Sequence, residues 1–184
     1  FSHGLAYWCV SIAAVIDGEV VAGVIAAPAL GQVFAVDHDG VTVNGAPATP
    51  RRVENEIDAF VISTFPRGVD LESNGDAALA ATGRLTRAFG SHRALGSGAL
   101  GLAHVACGWA DATFDLHTNA WDVAAGSLMV RLGGGRFVGL QRGTSDESPT
   151  TAYLRPGYWA TGAPLDYPTL RDVVTEMSRD GTVG

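Results

Sequence analysis

The segment NAWDVAAGSLMVRLGGG, residues 119–135, decides how the second half of this chain folds. Its apolar and small residues predict a buried helix over 120–132, and the three glycines that follow predict where this helix ends. One carboxylate, Asp122, stands at the start of the apolar helix. An aspartate in the first turn is stabilised by the helix dipole, but a carboxylate there can also bind a metal ion. The residues alone leave both interpretations open.

Strands and helices alternate on both sides of this helix. Short apolar runs predict strands, and longer runs with helical periodicity predict helices. The predicted strands cover 59–65, 92–96, 110–115, 136–140 and 157–162, and the other predicted helices cover 74–88, 97–108 and 167–178. This alternation predicts an α/β layer with a substantially parallel sheet. The polar residues 141–152 predict a loop, and residues 181–184 predict a frayed tail.

The first part of the chain has a different pattern. Residues 6–43 contain β-rich runs, the first two of which are separated by Asp17-Gly18, a strong signal for a type I′ hairpin. The continuous apolarity of these two strands predicts a sheet that is covered on both faces. We therefore predict an α/β fold in which an antiparallel meander precedes a mixed, largely parallel sheet flanked by helices. The predicted division places the antiparallel part at 1–55 and the α/β part at 56–184.

The composition excludes several classes of function. The formal net charge is −7, no basic face is visible, and all twelve basic residues are arginine. Nucleic acid is therefore not an expected partner, and the absence of lysine excludes Schiff-base chemistry and a P-loop. No apolar run is long enough to span a membrane, so we expect no membrane association. Cys9 and Cys107 lie far apart, which predicts reduced thiols in a cytoplasmic protein and no structural zinc site unless another chain contributes.

A glycine-rich motif and two histidines need interpretation. GSGALG, residues 96–101, matches the dinucleotide-binding pattern, but the short polar strand before it and the lack of an acidic residue at the usual spacing argue against a nucleotide. We predict a helix N-terminus capped by Ser97. The glycines there either let backbone N–H groups face an anionic ligand or only allow the helix to pack closely. His104 falls in an apolar helix, which predicts a packing role, whereas the loop residue His117 is expected to face solvent.

Three aspartates, Asp111, Asp115 and Asp122, follow one another across a predicted strand, loop and helix. Alternation along the strand places Asp111 and Asp115 on one face, and Asp115 and Asp122 both lie near its carboxyl end. Ligands of open α/β sheets bind at that end. Carboxylates gathered there suit a hard cation such as Mg²⁺, which takes one or two carboxylates together with waters and phosphate oxygens.

Three stretches of the chain together resemble the inositol monophosphatase family of metal-dependent sugar phosphatases. They are FSHGLAYWCVSIA (1–13), RALGSGALGLAHVACGWADATFD (93–115) and WDVAAGSLMVRLGGG (121–135), in the order that the family has them. The resemblance implies a layered α/β/α/β fold, with residues 1–55 as the C-terminal part of its antiparallel-sheet subdomain. It also implies Mg²⁺-dependent hydrolysis of a phosphate monoester of inositol or a similar small polyol or sugar, with lithium sensitivity and a homodimer.

The resemblance implies roles for four residues. Asp122, in the Trp-Asp pair, corresponds to the C-terminal metal ligand of the family. Ser97 and Gly98 correspond to the turn that faces the substrate. Asp115 corresponds to an acidic position that contacts substrate hydroxyls and that is usually glutamate in the inositol-specific members.

Two motifs of the family are missing from these 184 residues. G-D-x-E-E and D-P-x-D-G-T supply most of the family's metal ligands, and one aspartate cannot clamp both the attacking and the leaving oxygen. We therefore expect this chain as numbered to be the C-terminal portion of a phosphatase and to be inactive alone. The alternatives are a related specificity (histidinol phosphate, fructose 1,6-bisphosphate or a 3′-phosphoadenosine nucleotide) and a non-catalytic remnant that binds a sugar phosphate or a partner.

Overall fold

A computed structural model describes residues 2–180. The first part of the chain forms an antiparallel sheet. The five strands lie in chain order, each antiparallel to the next: β1 (Val10–Ile16), β2 (Glu19–Ala27), β3 (Gln32–Asp37), β4 (Gly40–Val43) and β5 (Ala46–Pro47). Asp17 and Gly18 have positive φ angles of 52° and 82°, as a type I′ turn requires. The predicted meander is confirmed. The predicted tail, 181–184, lies outside the described residues.

The second sheet has six strands and is mixed. They are β6 (Phe60–Ser63), β7 (Ser91–Ala94), β8 (Ala112–Asp115), β9 (Arg136–Gln141), β10 (Thr144–Asp146) and β11 (Gly157–Thr161), in the order β10-β9-β11-β8-β6-β7. Strand β6 is parallel to both β7 and β8, and the other three pairings are antiparallel. The predicted mixed sheet is confirmed, but it is not largely parallel, because β11 runs antiparallel to both of its neighbours. Strand β10 corrects the prediction of a loop over 141–152. Its three residues are polar, so backbone pairing with β9, rather than any apolar pattern, makes it a strand.

Four helices complete the described residues. They are α1 (Gly68–Ala88), α2 (Gly98–Ala106), α3 (Ala120–Leu132) and α4 (Pro168–Asp180). The bounds of α3 are those predicted. Helix α1 begins six residues before the predicted start at 74, and its backbone is non-helical at Asn74 (φ −157°, ψ 74°), so the predicted start falls on a kink within a longer helix. No helix within residues 2–180 is both long and apolar enough to cross a membrane.

The elements stack in four layers. Helices α1 and α4 pack together on one face of the second sheet, and α2 and α3 pack between the two sheets. Helix α3 approaches both neighbours closely, because a Cβ added to Gly126 would lie 2.5 Å from Leu102 Cβ and one added to Gly23 of β2 would lie 2.7 Å from Ala125 Cβ. The layered α/β/α/β fold is confirmed. One buried cluster joins side chains from both sheets, and the division at residue 55 stays a prediction.

The outer face of the first sheet differs from the prediction. It carries apolar side chains that are 38–64% exposed, namely Val10, Ile12, Val24 and Val33. In the described part of the chain, α2 and α3 cover only the inner face, where Ile25 and Phe34 are fully buried. The expectation of a sheet covered on both faces is therefore wrong for these residues. Apolarity shows that a face favours burial, but the covering layer has to come from other residues.

Candidate active site

Three helices begin at one cavity. This cavity, of about 540 Å³, lies at the carboxyl ends of the parallel strands β6, β7 and β8. Its lining includes Arg67, Ser97 and Asn119, which are the N-cap residues of α1, α2 and α3. Helix N-termini present unpaired N–H groups and a partial positive charge, so their convergence favours an anionic ligand.

The four residues singled out by the family resemblance all line this cavity. They are Ser97, Gly98, Asp115 and Asp122. Asp115 is the last residue of β8, so it lies at the edge of the sheet where the cavity opens. The predicted grouping of Asp111 with these carboxylates is wrong, because Asp111 precedes β8 and lies at the opposite end of the strand. Its Oδ2 accepts a hydrogen bond from the Phe60 backbone N (2.8 Å), which fixes the start of β6.

Asp122 caps its helix with one oxygen. It is the third residue of α3, and its Oδ2 accepts hydrogen bonds from the Asn119 backbone N (2.9 Å) and Nδ2 (3.5 Å), as the third helical residue of a capping box does. Its other carboxylate oxygen is not needed for capping. The capping role is therefore confirmed, and it leaves one oxygen for a metal ion, so the metal role stays a prediction.

The donor set at Asp122 fits one corner of a Mg²⁺ site. Mg²⁺ takes few carboxylates and keeps waters and phosphate oxygens as its other ligands, so one half-buried aspartate at a cavity wall suits it. A complete two-metal clamp does not fit the residues present. Within residues 2–180, three side chains close enough to share one metal ion occur at Asp37, His38 and Asp39, on the exposed β3–β4 turn and away from the cavity.

Ser97 and Gly98 bring the start of α2 against the site. The Ser97 hydroxyl accepts from the Leu100 backbone N (3.4 Å), so the predicted cap is confirmed. Cys9 Sγ lies 3.8 Å from Ser97 Oγ, and burial raises the pKa of the Cys9 thiol, with the charge of Asp122 adding to the effect. Glycine at position 98 lets the Tyr158 side chain approach closely, because a Cβ there would lie only 3.2 Å from the Tyr158 hydroxyl oxygen.

Asp115 is buried and held by two donors. Its Oδ1 accepts from the His117 backbone N (3.0 Å), and its Oδ2 accepts from Arg67 Nη2 (2.5 Å). Tyr158 lies beside it, and burial raises the pKa of the Tyr158 phenol, with the Asp115 charge adding to the effect. The phenol therefore stays protonated and donates to the Gly98 carbonyl (3.4 Å).

Two residues that fix the geometry of the candidate site were missed from the sequence. Arg67 and Asp70 lie at the start of α1, where the Arg67 backbone N donates to Asp70 Oδ2 (2.6 Å). Arginine is not a favoured N-cap residue, so the sequence carried no signal for this helix start. His117 is also corrected, because its Nε2 lies 2.7 Å from Asp70 Oδ1 and its side chain is only 25% exposed, instead of facing solvent.

His104 packs as expected. Its ring makes edge or tilted contacts with the rings of Tyr7, Phe34 and Trp109. Burial lowers the pKa of His104 to about 4, so the ring is neutral at physiological pH. The prediction of a packing role is confirmed.

A second cavity, of about 340 Å³, lies behind the loop that follows β8. It shares His117, Thr118, Asn119 and Trp121 with the first cavity, so this loop is the wall between them. The second cavity runs towards α4 and contains neither Asp122 nor the start of α2. The chemistry that suits a phosphate ester is therefore in the first cavity.

Comparison with known proteins identifies the family. Residues 1–176 match the inositol monophosphatase family. The chain is 35% identical over 141 residues to the Nus factor SuhB of Xylella fastidiosa, covering 73% of this chain and 49% of that protein. It is 36% identical over 136 residues to the fructose-1,6-bisphosphatase/inositol-1-monophosphatase of Thermotoga maritima, covering 73% of this chain and 50% of that protein.

A solved structure gives the same result for the fold. A Thermotoga maritima IMPase superposes with a TM-score of 0.80 at 26% identity, covering 98% of this chain and 66% of that one. The chain spans about half the length of the two curated relatives. Sequence match and shared fold together show that this chain belongs to the inositol monophosphatase family.

Proposed function

We propose that this chain forms part of a Mg²⁺-dependent phosphatase that hydrolyses a phosphate monoester of inositol or a similar small polyol or sugar. The observation that carries the proposal is the convergence of three helix N-termini and Asp122 in one cavity. Helix N-termini attract a phosphate group, and a carboxylate beside them provides a ligand for the cation that accompanies it. Membership in the inositol monophosphatase family supports the same reaction class.

Each predicted residue has a separate part in this proposal. Asp122 would hold Mg²⁺ with the oxygen that capping leaves unused, and the ion would supply Lewis-acid stabilisation to the phosphoryl oxygens. Ser97 and Gly98 direct backbone N–H groups of α2 towards the phosphate. Asp115, buried and fixed by its two donors, acts on the substrate through the groups that it positions. In this proposal none of these groups forms a bond to phosphorus, and catalysis would rest on positioning and charge stabilisation.

A second candidate substrate is fructose 1,6-bisphosphate. The relative from Thermotoga maritima is named for this activity and for inositol-1-monophosphatase activity, and it is 36% identical over 136 residues. The proposal also includes lithium sensitivity and a homodimer, as the family resemblance implies, and a cytoplasmic location, as the two separated cysteines predict. Sedimentation of the purified protein would test the homodimer directly.

The proposed activity needs residues beyond those numbered here. The cavity offers one metal-ligating aspartate with a free oxygen, and a two-metal mechanism needs more ligands than that. We therefore expect a preparation of these 184 residues alone to release no phosphate from inositol 1-phosphate with Mg²⁺, and the full-length protein to release it. Hydrolysis at equal rates by both preparations would show that the numbered residues suffice.

The test of function is phosphate release by the full-length protein. Asp122→Asn is expected to lower Mg²⁺-dependent turnover at least about 10–100-fold, since substitution of groups that only orient metal ligands already costs that much. Asp39→Asn, in the exposed β3–β4 turn, is the matched control and should keep wild-type turnover. Unchanged turnover in Asp122→Asn would return this residue to a capping role. A wild-type protein inactive on all phosphate esters tested would favour the non-catalytic alternative.

A further inference from the structure

A positively charged side chain, that of Arg67, lies in the candidate site beside the position for which the family resemblance implies only an acidic residue. Arg67 Nη2 lies 2.5 Å from Asp115 Oδ2, and both residues line the cavity. The Arg67 side chain is 37% exposed, whereas that of Asp115 is 3% exposed. At this corner the cavity therefore offers a guanidinium rather than a carboxylate to a ligand.

The guanidinium is held rigidly but not saturated. Nε and Nη2 donate to Thr64 Oγ1 (3.2 and 3.0 Å), Nη1 donates to the His117 carbonyl (3.0 Å), and Nη2 also donates to Asp115. Arginine has five N–H donors, so the bonds made within the described part of the chain leave one N–H of Nη1 for a ligand. A guanidinium already fixed in this way loses little further freedom when it binds an anion.

Arg67 and Asp122 belong to separate groups of contacts within one cavity. Asp122 is held by Asn119, and Arg67 is held by Thr64, Asp115 and the His117 carbonyl. Because both residues line this cavity, a ligand with two anionic groups can meet a cation held by Asp122 through one group and the guanidinium through the other. A ligand with only hydroxyls at its second end would leave that charge-assisted interaction unused.

Resting on the proposed function above, we propose that Arg67 binds a second anionic group of the substrate, a carboxylate or a phosphate. This protein then prefers phosphate esters that carry a second negative charge over esters whose other groups are hydroxyls. Asp115 sets the position of the guanidinium, and Arg67 makes the specificity-determining contact with the substrate.

The test compares three substrates in the full-length protein with Mg²⁺. Inositol 1-phosphate offers only hydroxyls beside its ester, fructose 1,6-bisphosphate adds a phosphate, and 3-phosphoglycerate adds a carboxylate. Arg67→Gln is expected to lower kcat/KM at least about tenfold for one or both of the doubly anionic substrates, and by less than about threefold for inositol 1-phosphate. The substrate with the larger loss identifies the anionic group, and Arg67→Lys should restore part of that loss.

A second comparison guards against misfolding, because Arg67→Gln leaves the buried Asp115 carboxylate without its cation. The double variant Arg67→Gln/Asp115→Asn removes both charges and is compared with Asp115→Asn alone. The ratio of kcat/KM for the doubly anionic substrate to that for inositol 1-phosphate should be lower in the double variant. Equal losses on all three substrates would overturn this inference, because Arg67 would then act on a feature that the three substrates share, and the proposed function would stand. A wild-type protein that hydrolyses none of them would overturn the proposed function and this inference together.

Discussion

His117 Nε2 lies 2.7 Å from Asp70 Oδ1, a contact that ties the loop after β8 to the first turn of α1. The same two segments are joined again, because Arg67 donates to the His117 carbonyl and to Asp115. The His117 backbone N donates to Asp115, and the Arg67 backbone N donates to Asp70. These four residues form a closed ring of hydrogen bonds, so the position of Asp115 depends on how α1 begins.

Replacing Asp70 should loosen this ring. Asp70→Ala removes the acceptor for the Arg67 backbone N and the partner of His117, and we expect it to lower the free energy of unfolding by about 1–3 kcal/mol. Asp76→Ala, at an exposed position of the same helix, is the control and should change it by less than about 0.5 kcal/mol. Urea unfolding of the three proteins measures the difference, and equal stability of the two variants would argue that the ring contributes nothing.

Two substitutions of Asp122 separate its cap from its proposed metal role. Asp122→Asn keeps an oxygen that can accept from the Asn119 backbone N, whereas Asp122→Ala removes it and should cost about 0.5–1 kcal/mol more in unfolding free energy. Both variants should lose Mg²⁺ binding to the same degree, as measured by calorimetry on the full-length protein. If Asp122→Asn binds Mg²⁺ like the wild type, the negative charge has no part in metal binding.

The buried His104 predicts a loss of stability in acid. Its folded pKa of about 4 lies below the ordinary value of 6.5, so the unfolded chain binds more protons between these two values. Stability contributed by the neutral ring is complete above about pH 6.5 and decreases as the pH falls towards 4, by on the order of 2–3 kcal/mol. His104→Leu should flatten this part of the stability curve, measured by denaturant unfolding at several pH values. A slope equal to that of the wild type would assign the acid sensitivity to other groups.

Close packing between α2 and α3 predicts a strong effect of one methyl group. Gly126→Ala places a Cβ 2.5 Å from Leu102 Cβ, and the helices must move apart to admit it. We expect a loss of about 1–3 kcal/mol in unfolding free energy. Gly75→Ala in α1 meets nothing within 4 Å and should be neutral or stabilising by up to about 1 kcal/mol. Thermal unfolding of the pair measures the contrast, and similar midpoints would contradict the close approach.

Local signals predicted much of this fold. The bounds of α3 follow from an apolar run that ends at three glycines, and the first hairpin follows from Asp17-Gly18, whose positive φ angles only a few residues adopt readily. Strand β10 was missed because its polar residues carry no periodic signal and pair with β9 through the backbone alone. The uncovered sheet face was missed because apolarity records a preference for burial and not the presence of a covering layer.

Local sequence signals also predicted part of the candidate site. Asp122, Ser97 and Gly98 belong to helix starts that can be recognised locally, and the structure brings all three to one cavity. Arg67 was not predicted because its place in the site depends on a hydrogen bond to Asp115. That residue is 48 positions away, and the order of strands in the sheet brings it close. No pattern within a window of ten or twenty residues contains that contact.

Helix α3 links the thermal unfolding of this protein to the integrity of its candidate site. Since the helix that starts at the cavity also fills the space between the two sheets, the sheets cannot separate without displacing Asp122. Within residues 2–180, the part of the site that contains Asp122 therefore belongs to the same packed unit as the core. Thermal inactivation of the full-length protein should coincide with the cooperative unfolding transition rather than precede it. Substitutions of Ala125, which packs on Gly23, or of Gly126, which packs on Leu102, should shift the inactivation and unfolding temperatures together.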